Sequence, residues 1–231
     1  MILKNNAEFL LVQQLGNFFG ELNKSEIAEI SRIHPLVLNQ LDYCFSFVSN
    51  KYYHANGESL FNSLHNAQYS MYLYRMANLI KKEYNDVDLC DKIYGLSKIV
   101  SSADLYYEVE LPKIWFCDHP QGAVLGRADY ADYFSFSQGC TVGNNKGRYP
   151  RFGEYVTMFS NSKILGDCNV GDHVIMSANS YILDTNIPPF SIVFGSSPYP
   201  VIHRITEDKF EELTTSIFYH TKSSKQLEIN K

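Results

Sequence analysis

The side chains best suited to chemistry in this sequence surround one histidine. His119 directly follows Asp118 and stands nine residues after Glu110, and Glu108 offers a further carboxylate in the same stretch. An imidazole oriented by a carboxylate can take the proton from a hydroxyl as that hydroxyl attacks an electrophilic carbon. The same residue types also suit a structural histidine that is hydrogen-bonded at a domain junction. The residues alone favour this second interpretation.

Composition and the remaining motifs argue against several other classes of function. The five cysteines are scattered, with no CxxC pair and no metal-like spacing to histidine, which indicates reduced thiols and no metal site. The glycines of GCTVGNNKG lack the GK[ST] ending of a nucleotide-binding loop. A net charge of −5 without a cluster of lysine and arginine argues against nucleic acid as a partner. No segment approaches the roughly 20 apolar residues of a membrane span, so we expect a cytoplasmic protein.

Helical signals dominate residues 1 to about 100. Apolar side chains recur at alternating spacings of four and three, on one helical face, at Leu60, Leu64, Ala67, Met71 and Tyr74. They predict a helix from about Ser59 to Tyr84. His34-Pro35 precedes another apolar run and predicts a helix with the proline in its first turn, where the missing N–H costs nothing. The many aromatic residues here are expected to pack in the core.

A period of six begins after about residue 104. Large apolar residues stand six apart at Phe152, Met158, Ile164, Val170, Met176 and Ile182, with small or β-branched companions four residues on at Val156, Ser162, Cys168, Val174 and Ser180. Upstream, the period continues through Val124, Tyr130, Phe136 and Val142. The pattern predicts a parallel β-helix whose large side chains point inward. Between Val142 and Phe152 the step is ten, which predicts an external loop, GNNKGRYPR, where a binding site can form.

The sequence also predicts where the array ends. Ile187-Pro188-Pro189 is expected to terminate it, because prolines cannot donate to a strand ladder. A short helix is expected from Glu207, followed by a loose tail, KSSKQLEINK. The predicted fold class is α+β. It has a helical N-terminal domain at 1–103, a β-helix of hexapeptide repeats at 104–205, and a C-terminal helix and tail at 206–231.

Several segments resemble serine acetyltransferases, a family of the hexapeptide acyltransferases. MYLYRMANLI is similar to the AYRIGHWL helix of that family, YYEVELP to FQVDIHP, FCDH to LDH, and GSSPYPVI to the exit turn GVPA. GRYPRFGEYVTMFSNSKILGDCNVGDHVI is similar to the coils between them, so the resemblance runs from about residue 59 to 202. It implies a left-handed β-helix, homotrimers that sometimes pair into hexamers, and acetyl-CoA bound between adjacent β-helices. No metal is implied.

The resemblance assigns roles around the histidine. His119 matches the general base that activates an acceptor hydroxyl. Glu110 matches the aspartate that orients the base, on a longer side chain, and Glu108 is the alternative. Asp118 matches a residue that contacts the acceptor, although an aspartate here also suits a turn.

The acceptor region departs from the family pattern. Arg148 and Tyr149 stand where the family has arginine and histidine, and that arginine pairs with the carboxylate of serine. Tyr149 cannot carry a positive charge, and Arg148 also suits a solvated surface. Ahead of the MYLYRMANLI helix, the family has an aspartate, whereas the matching segment here, KYYHANGESLFNSLHNAQYS, has none and Glu58 is its only acid. These changes favour a sugar hydroxyl of a bacterial surface polysaccharide as acceptor. Free serine, in cysteine biosynthesis, is the alternative, and a non-catalytic trimeric scaffold is a second one.

The resemblance also marks positions for acetyl-CoA. The small residues lie where strand backbone can contact the pantetheine arm, and an arginine past the exit turn can meet a CoA phosphate. These positions are Gly143, Ser160, Ser162, Ala178 and Arg204. Tight coils require small residues in any case.

Overall fold

The computed structural model describes residues 1–219. Four helices and a small sheet form the N-terminal part. The helices are α1 (Ala7–Phe19), α2 (Lys24–Phe45), α3 (Asn66–Glu83) and α4 (Val87–Ser101), with a 3-10 turn at Lys51–Tyr53. Strands β1 (Ile2–Lys4), β2 (His54–Ala55) and β3 (Glu58–Asn62) form a sheet in the order β1-β3-β2. No helix within the described residues is long and apolar enough to cross a membrane.

The predicted helix at 59–84 is correct only in its second part. Residues Glu58–Asn62 form β3, and the helix begins at Asn66 after the side chain of His65 caps its N-terminus. Strand β3 is held between β1 and β2, and this tertiary pairing overrides the helical spacing of Leu60 and Leu64. Leu64 is accordingly exposed.

Helix α2 begins eleven residues before the position that Pro35 predicts. The side chain of Asn23 caps it. The side chain of Glu26 accepts from the Asn23 N–H, which completes a capping box. Pro35 therefore lies inside the helix, where it removes one backbone hydrogen bond. Burial of Ile33 and Val37 on either side offsets that loss.

The remainder is a left-handed parallel β-helix of about five turns. Face 1 contains β5 (Trp115–Asp118), β7 (Phe134–Ser137), β10 (Thr157–Met158), β13 (Val174–Met176) and β15 (Ser191–Phe194). Face 2 contains β4 (Asp104–Leu105), β6 (Val124–Leu125), β8 (Thr141–Gly143), β11 (Lys163–Leu165) and β14 (Tyr181–Leu183). Face 3 contains β9 (Arg151–Phe152) and β12 (Asn169–Val170).

We name the corners of this three-sided coil by the faces that they join. Corner A lies between faces 1 and 2, corner B between faces 2 and 3, and corner C between face 3 and the next strand of face 1. The predicted external loop lies at corner B, where Asn145 and Arg148 exchange backbone hydrogen bonds of 3.1 and 3.0 Å.

The hexapeptide positions are buried as predicted from Phe152 to Ile182. Upstream, Phe136 and Val142 are also buried as predicted, but the first position of the period is wrong by one residue, because Val124 is 41% exposed and Leu125 is buried in its place. Leu125 pairs with Val142, only seventeen residues further on, so this coil is one residue shorter than the regular eighteen. A strict six-residue period in the sequence does not reveal the loss of one residue from a coil.

The prolines at 188 and 189 do not end the array. Strand β15 follows them and pairs in parallel with β13, and β16 (Val201–Arg204) then adds in the antiparallel direction. The prolines lie at corner C, between the faces, where no ladder bond is required. Helix α5 (Glu207–Thr214) begins where the sequence predicts it. The predicted loose tail lies outside the described residues.

Corner C is filled by aromatic rings. Tyr133, Tyr155, His173 and Phe190 occupy it in successive coils, all with left-handed backbone, and their rings stack with centroids 4.1, 4.9 and 4.5 Å apart. Phe210 of α5 packs edge-on against His173 at 5.0 Å. The chain then returns to the helical domain.

Candidate active site

His119 lies in a bulge at corner A. Asp118 pairs with Ser137 of the next coil, and the Gln121 carbonyl accepts from the Gly139 N–H at 2.9 Å. In this coil, His119, Pro120 and Gln121 lie between Asp118 and the level of Gly139. In the next coil, only Gln138 lies between Ser137 and Gly139. The two extra residues push the corner outward, and the His119 side chain is 76% exposed, with a left-handed backbone (φ 48°).

The helical domain supplies the opposite wall of a cavity around this histidine. The cavity has a volume of about 420 Å³ and is lined by Asn50, Tyr52, Tyr53, Leu64, His65, Asn66, Ala67, Asp118, His119, Pro120 and Gln121. Burial lowers the pKa of His65 and the nearby His119 lowers it further, while Asp118 acts in the opposite direction. His65 is therefore uncharged at neutral pH. The cavity thus combines an exposed imidazole, a carboxylate and a second, neutral imidazole.

Asp118 is the carboxylate beside His119. Its Oδ1 lies 3.7 Å from His119 Nε2, slightly beyond hydrogen-bond distance, and both side chains are exposed.

The structure does not bring Glu110 to His119. Its carboxylate accepts from Lys82 Nζ at 2.6 Å and from Asn78 Nδ2 at 3.4 Å, in a different cavity. The buried Tyr74 hydroxyl explains this, because it donates to the Val109 carbonyl at 2.6 Å and accepts from the Leu111 N–H at 2.9 Å. These bonds fix the segment on α3.

The alternative acid, Glu108, is also engaged elsewhere. It pairs with Lys81 Nζ at 3.3 Å. Neither predicted partner therefore reaches His119 in a single chain, and Asp118 is the carboxylate that lies near it.

Two of the predicted acetyl-CoA positions share corner A with His119. Thr157 pairs with Ile175, which places Ser160 and Ala178 one above the other, and the Asn179 N–H donates to the Ser160 carbonyl at 2.9 Å. Coils are about 4.8 Å apart, so Ser160 lies roughly 10 Å and Ala178 roughly 14 Å along the axis from the level of His119. A long flexible molecule lying along this corner would end at His119.

The other predicted acetyl-CoA positions do not line that corner. Ser162 is fully buried, with its hydroxyl 3.6 Å from Cys140 Sγ, and its amide and carbonyl both make coil hydrogen bonds. Gly143 ends β8 on face 2, where an added Cβ would lie 3.2 Å from the Leu165 side chain. Arg204 is exposed on β16. The burial of Ser162 is a feature of coil packing.

Arg148 and Tyr149 lie at corner B. Arg148 Nη1 donates to Asp167 Oδ2 at 3.1 Å, and Arg151 donates to the other Asp167 oxygen at 3.0 Å. They line a separate cavity of about 460 Å³ with Asp129, Gly147 and Pro150. Within one chain, the structure therefore does not bring Arg148 and Tyr149 together with His119.

The sequence did not reveal the cavity wall provided by the helical domain. Tyr52 and His65 come from a turn and a helix cap, and their ring centroids lie 6.2 Å apart. No local pattern links them to a histidine more than fifty residues away. The described residues contain no group of histidine, cysteine, aspartate and glutamate that could hold a metal ion.

Comparison with known proteins gives the following relatives. No family model matches the sequence. Over 108 residues, or 45% of this chain, it is 32% identical to serine acetyltransferase from Staphylococcus epidermidis and 29% identical to that from Staphylococcus aureus. The match spans about half the length (50%) of these relatives.

Solved structures extend the similarity to most of the fold. Serine acetyltransferase from Neisseria gonorrhoeae superposes with a TM-score of 0.70 at 17% identity, over 89% of this chain and 81% of its own. The chain is thus similar to serine acetyltransferases in sequence and in fold. A serine acetyltransferase in complex with CoA superposes with a TM-score of 0.65 at 18% identity, over 85% and 83% of the two chains. The predicted serine acetyltransferase-like resemblance and the predicted helical domain with a left-handed β-helix are confirmed.

Proposed function

We propose that this protein is an acetyl-CoA-dependent O-acetyltransferase with His119 as general base. The observation that carries the proposal is the alignment of an outward-bulged His119 with Ser160 and Ala178 along corner A. A serine acetyltransferase of similar fold was determined in complex with CoA. The cytoplasm, where CoA thioesters are available, is the proposed location.

The chemistry follows from the groups at corner A. The acceptor hydroxyl oxygen attacks the thioester carbonyl carbon, and its proton passes to the His119 imidazole. Collapse of the tetrahedral intermediate breaks the carbon–sulfur bond, and the departing CoA sulfur takes the proton from the imidazolium. Asp118, 3.7 Å away, stabilises the charged imidazole between these steps.

We further propose that the site is completed in a homotrimer. His119 and Arg148 lie on different corners of a three-sided coil, so a single chain cannot present both to one acceptor. When three such coils pack side by side, corner B of one copy can face corner A of the next. Arg148 and Tyr149 of a neighbouring copy would then bind the acceptor. Pairing of two trimers into a hexamer is compatible with this arrangement.

L-serine is the acceptor that the relatives favour. The matching proteins are serine acetyltransferases, and structures of similar fold were determined with serine and with cysteine. Arg148 retains a guanidinium that can pair with the carboxylate of an amino acid.

A sugar hydroxyl of a bacterial surface polysaccharide is the second candidate acceptor, and the cavity around His119 favours it. None of the described residues that line this cavity is a lysine or an arginine. Tyr52, which is 57% exposed, offers a ring on which a sugar can stack.

The test is release of free CoA thiol from acetyl-CoA, with L-serine and with a panel of oligosaccharides as acceptors. The variants are His119→Ala and, as a matched control, His203→Ala, which removes an exposed imidazole on β16. We expect His119→Ala to lower turnover by about 10²- to 10⁴-fold, which is the usual contribution of a general base. The control should retain wild-type turnover.

The outcomes distinguish the two candidate acceptors, test the proposed base and test the scaffold alternative. Efficient turnover of serine identifies the acceptor as serine, and turnover of a glycan alone identifies the second candidate. Full activity of His119→Ala contradicts the proposed base. If no acceptor is turned over while the protein still forms trimers, a non-catalytic scaffold replaces the enzyme.

A further inference from the structure

A second cavity lies at the junction of the helical domain and the β-helix, away from His119. It has a volume of about 560 Å³ and lies between α2, α3 and the segment that leads into β5. Its lining residues are Asn39, Gln40, Tyr43, Tyr74, Arg75, Asn78, Leu79, Lys82, Glu110, Leu111, Pro112 and Lys113. A volume of this size is typical of small-molecule sites.

Arg75 is the buried charge of this cavity. Only 6% of the residue is exposed, and its guanidinium carbon lies 5.8 Å from the ring centroid of Trp115. Its Nη atoms donate to Gln40 Oε1 at 3.2 Å and to the Lys113 carbonyl at 2.9 Å. Its Nε is buried and has no hydrogen-bond acceptor. Among the described residues, the acceptors of this cation are therefore neutral.

The remaining charges of the lining do not balance Arg75. The Glu110 carboxylate is paired with Lys82 at 2.6 Å, so these two charges cancel locally. Arg75 and Lys113 remain, and both are positive. A buried cation without an anionic partner is costly, which makes the site complementary to a ligand that brings a negative charge.

The remaining walls of the cavity indicate what the uncharged part of the ligand should be. Tyr43, Leu79, Leu111 and Pro112 present apolar surface to the same space. Inorganic phosphate would satisfy the cations and leave these walls in contact with water. A molecule with one planar anionic group and an apolar body satisfies both parts of the cavity.

We propose that this junction cavity binds a small organic carboxylate through Arg75 and Lys113. The carboxylate would accept from the second N–H of the Arg75 Nη atoms, each of which has only one bond within the described part of the chain, and from the Lys113 ammonium, with its apolar body against Tyr43 and Leu111. The proposal does not depend on the acetyl-transfer function, because none of these residues lines the cavity of His119.

The chain carries its own reporter for this test. Trp115 is the single tryptophan of the sequence, and it lies directly beside Arg75. Benzoate, its neutral analogue benzamide, and inorganic phosphate would each be titrated at constant ionic strength. Binding would be followed by tryptophan fluorescence and by calorimetry. We expect saturable binding of benzoate, with much weaker binding of benzamide and of phosphate.

The variants assign the binding to the proposed residues. Lys113 has an exposed side chain, so Lys113→Ala should fold normally and raise the dissociation constant for benzoate by about 5-fold. Lys113→Glu should raise it further. Lys24→Ala, which removes an exposed lysine at the start of α2, is the matched control and should bind like the wild type.

Three results would each overturn the proposal. Equal binding of benzoate and benzamide would show that charge is not recognised, and unchanged affinity in both Lys113 variants would place the ligand elsewhere. Phosphate binding tighter than that of benzoate would contradict the carboxylate class. Because the readout is Trp115 and not turnover, failure here is distinct from failure of the proposed acetyl transfer.

Discussion

Corners A and C of the β-helix are built from the same coils, but large aromatic side chains fill corner C and smaller, more exposed side chains line corner A. At corner C, the aromatic rings of four successive coils stack, and Phe210 of α5 packs against one of them, His173. At corner A, the coils carry Gln138, Ser160 and Ala178, of which Gln138 and Ala178 are exposed and Ser160 is half-buried. The repeat fixes the backbone of both corners. The size of the side chains then decides whether a corner is closed by the chain itself or left open.

The comparison separates stability from chemistry. Stacked rings and an edge-on phenylalanine stabilise corner C through burial and aromatic contact. Corner A gains little burial from His119, which is exposed on a bulge. Substitutions at the two corners should therefore affect different measurements.

The largest expected effect on stability is that of Phe210→Ala at corner C. Phe210 is almost completely buried, and removal of such a side chain costs about 3 kcal/mol of the free energy of unfolding. Denaturant unfolding measures the loss. His119→Ala is the control, because its exposed side chain should change stability by less than about 0.5 kcal/mol. Equal losses in the two variants would remove the distinction between the corners.

The variant Asp118→Asn tests whether Asp118 acts on His119 at corner A. The amide keeps the shape of the side chain but loses the charge that we propose stabilises the imidazolium, so we expect about a 10-fold lower turnover with acetyl-CoA. The pH dependence of turnover should shift as well, since a structural role alone would not move it. Wild-type turnover with an unchanged pH profile would show that Asp118 does not act on His119.

Acidification probes the cavity behind corner A. Burial lowers the pKa of His65 in the folded chain. In the unfolded chain a histidine has a pKa of about 6.5, so the unfolded chain binds a proton more readily than the folded chain as the pH falls. Stability is therefore full above pH 6.5 and falls as the pH drops towards the folded pKa. His65→Gln should make this dependence shallower in unfolding curves from pH 7 to 5. An unchanged slope in the variant would contradict it.

The smallest expected effect is that of Glu110→Gln. Because Glu110 is paired with Lys82 and Asn78, its neutralisation should change acetyl-CoA turnover by less than about 2-fold. The measurement is turnover beside that of Asp118→Asn. A loss as large as that of Asp118→Asn would restore Glu110 as the partner of His119.

The sequence predicts the repeat better than the departures from it. Inward positions from Phe152 to Ile182 are recognisable because each coil repeats the same contact. The slip at Val124 and the bulge at His119 involve a change of one or two residues in a coil. Such changes alter which strand residues pair without altering composition.

Long-range contacts account for what the sequence leaves open at the candidate site. His119 is recognisable by its family-like dipeptide, but Tyr52 and His65 reach its cavity only through packing of the helical domain. Glu110 is drawn to α3 by the Tyr74 hydroxyl, which is distant in sequence. A segment resemblance cannot reveal either contact.

The return of the chain from α5 to the helical domain has a consequence for synthesis. The Ser49 N–H donates to the Ile217 carbonyl, and the Tyr219 N–H to the Phe47 carbonyl, both at 3.0 Å. A nascent chain on the ribosome can wind its coils in order, but it cannot make these bonds until residue 219 has left the exit tunnel. The helical domain is therefore completed among the last parts of the molecule, although its first helices are made first.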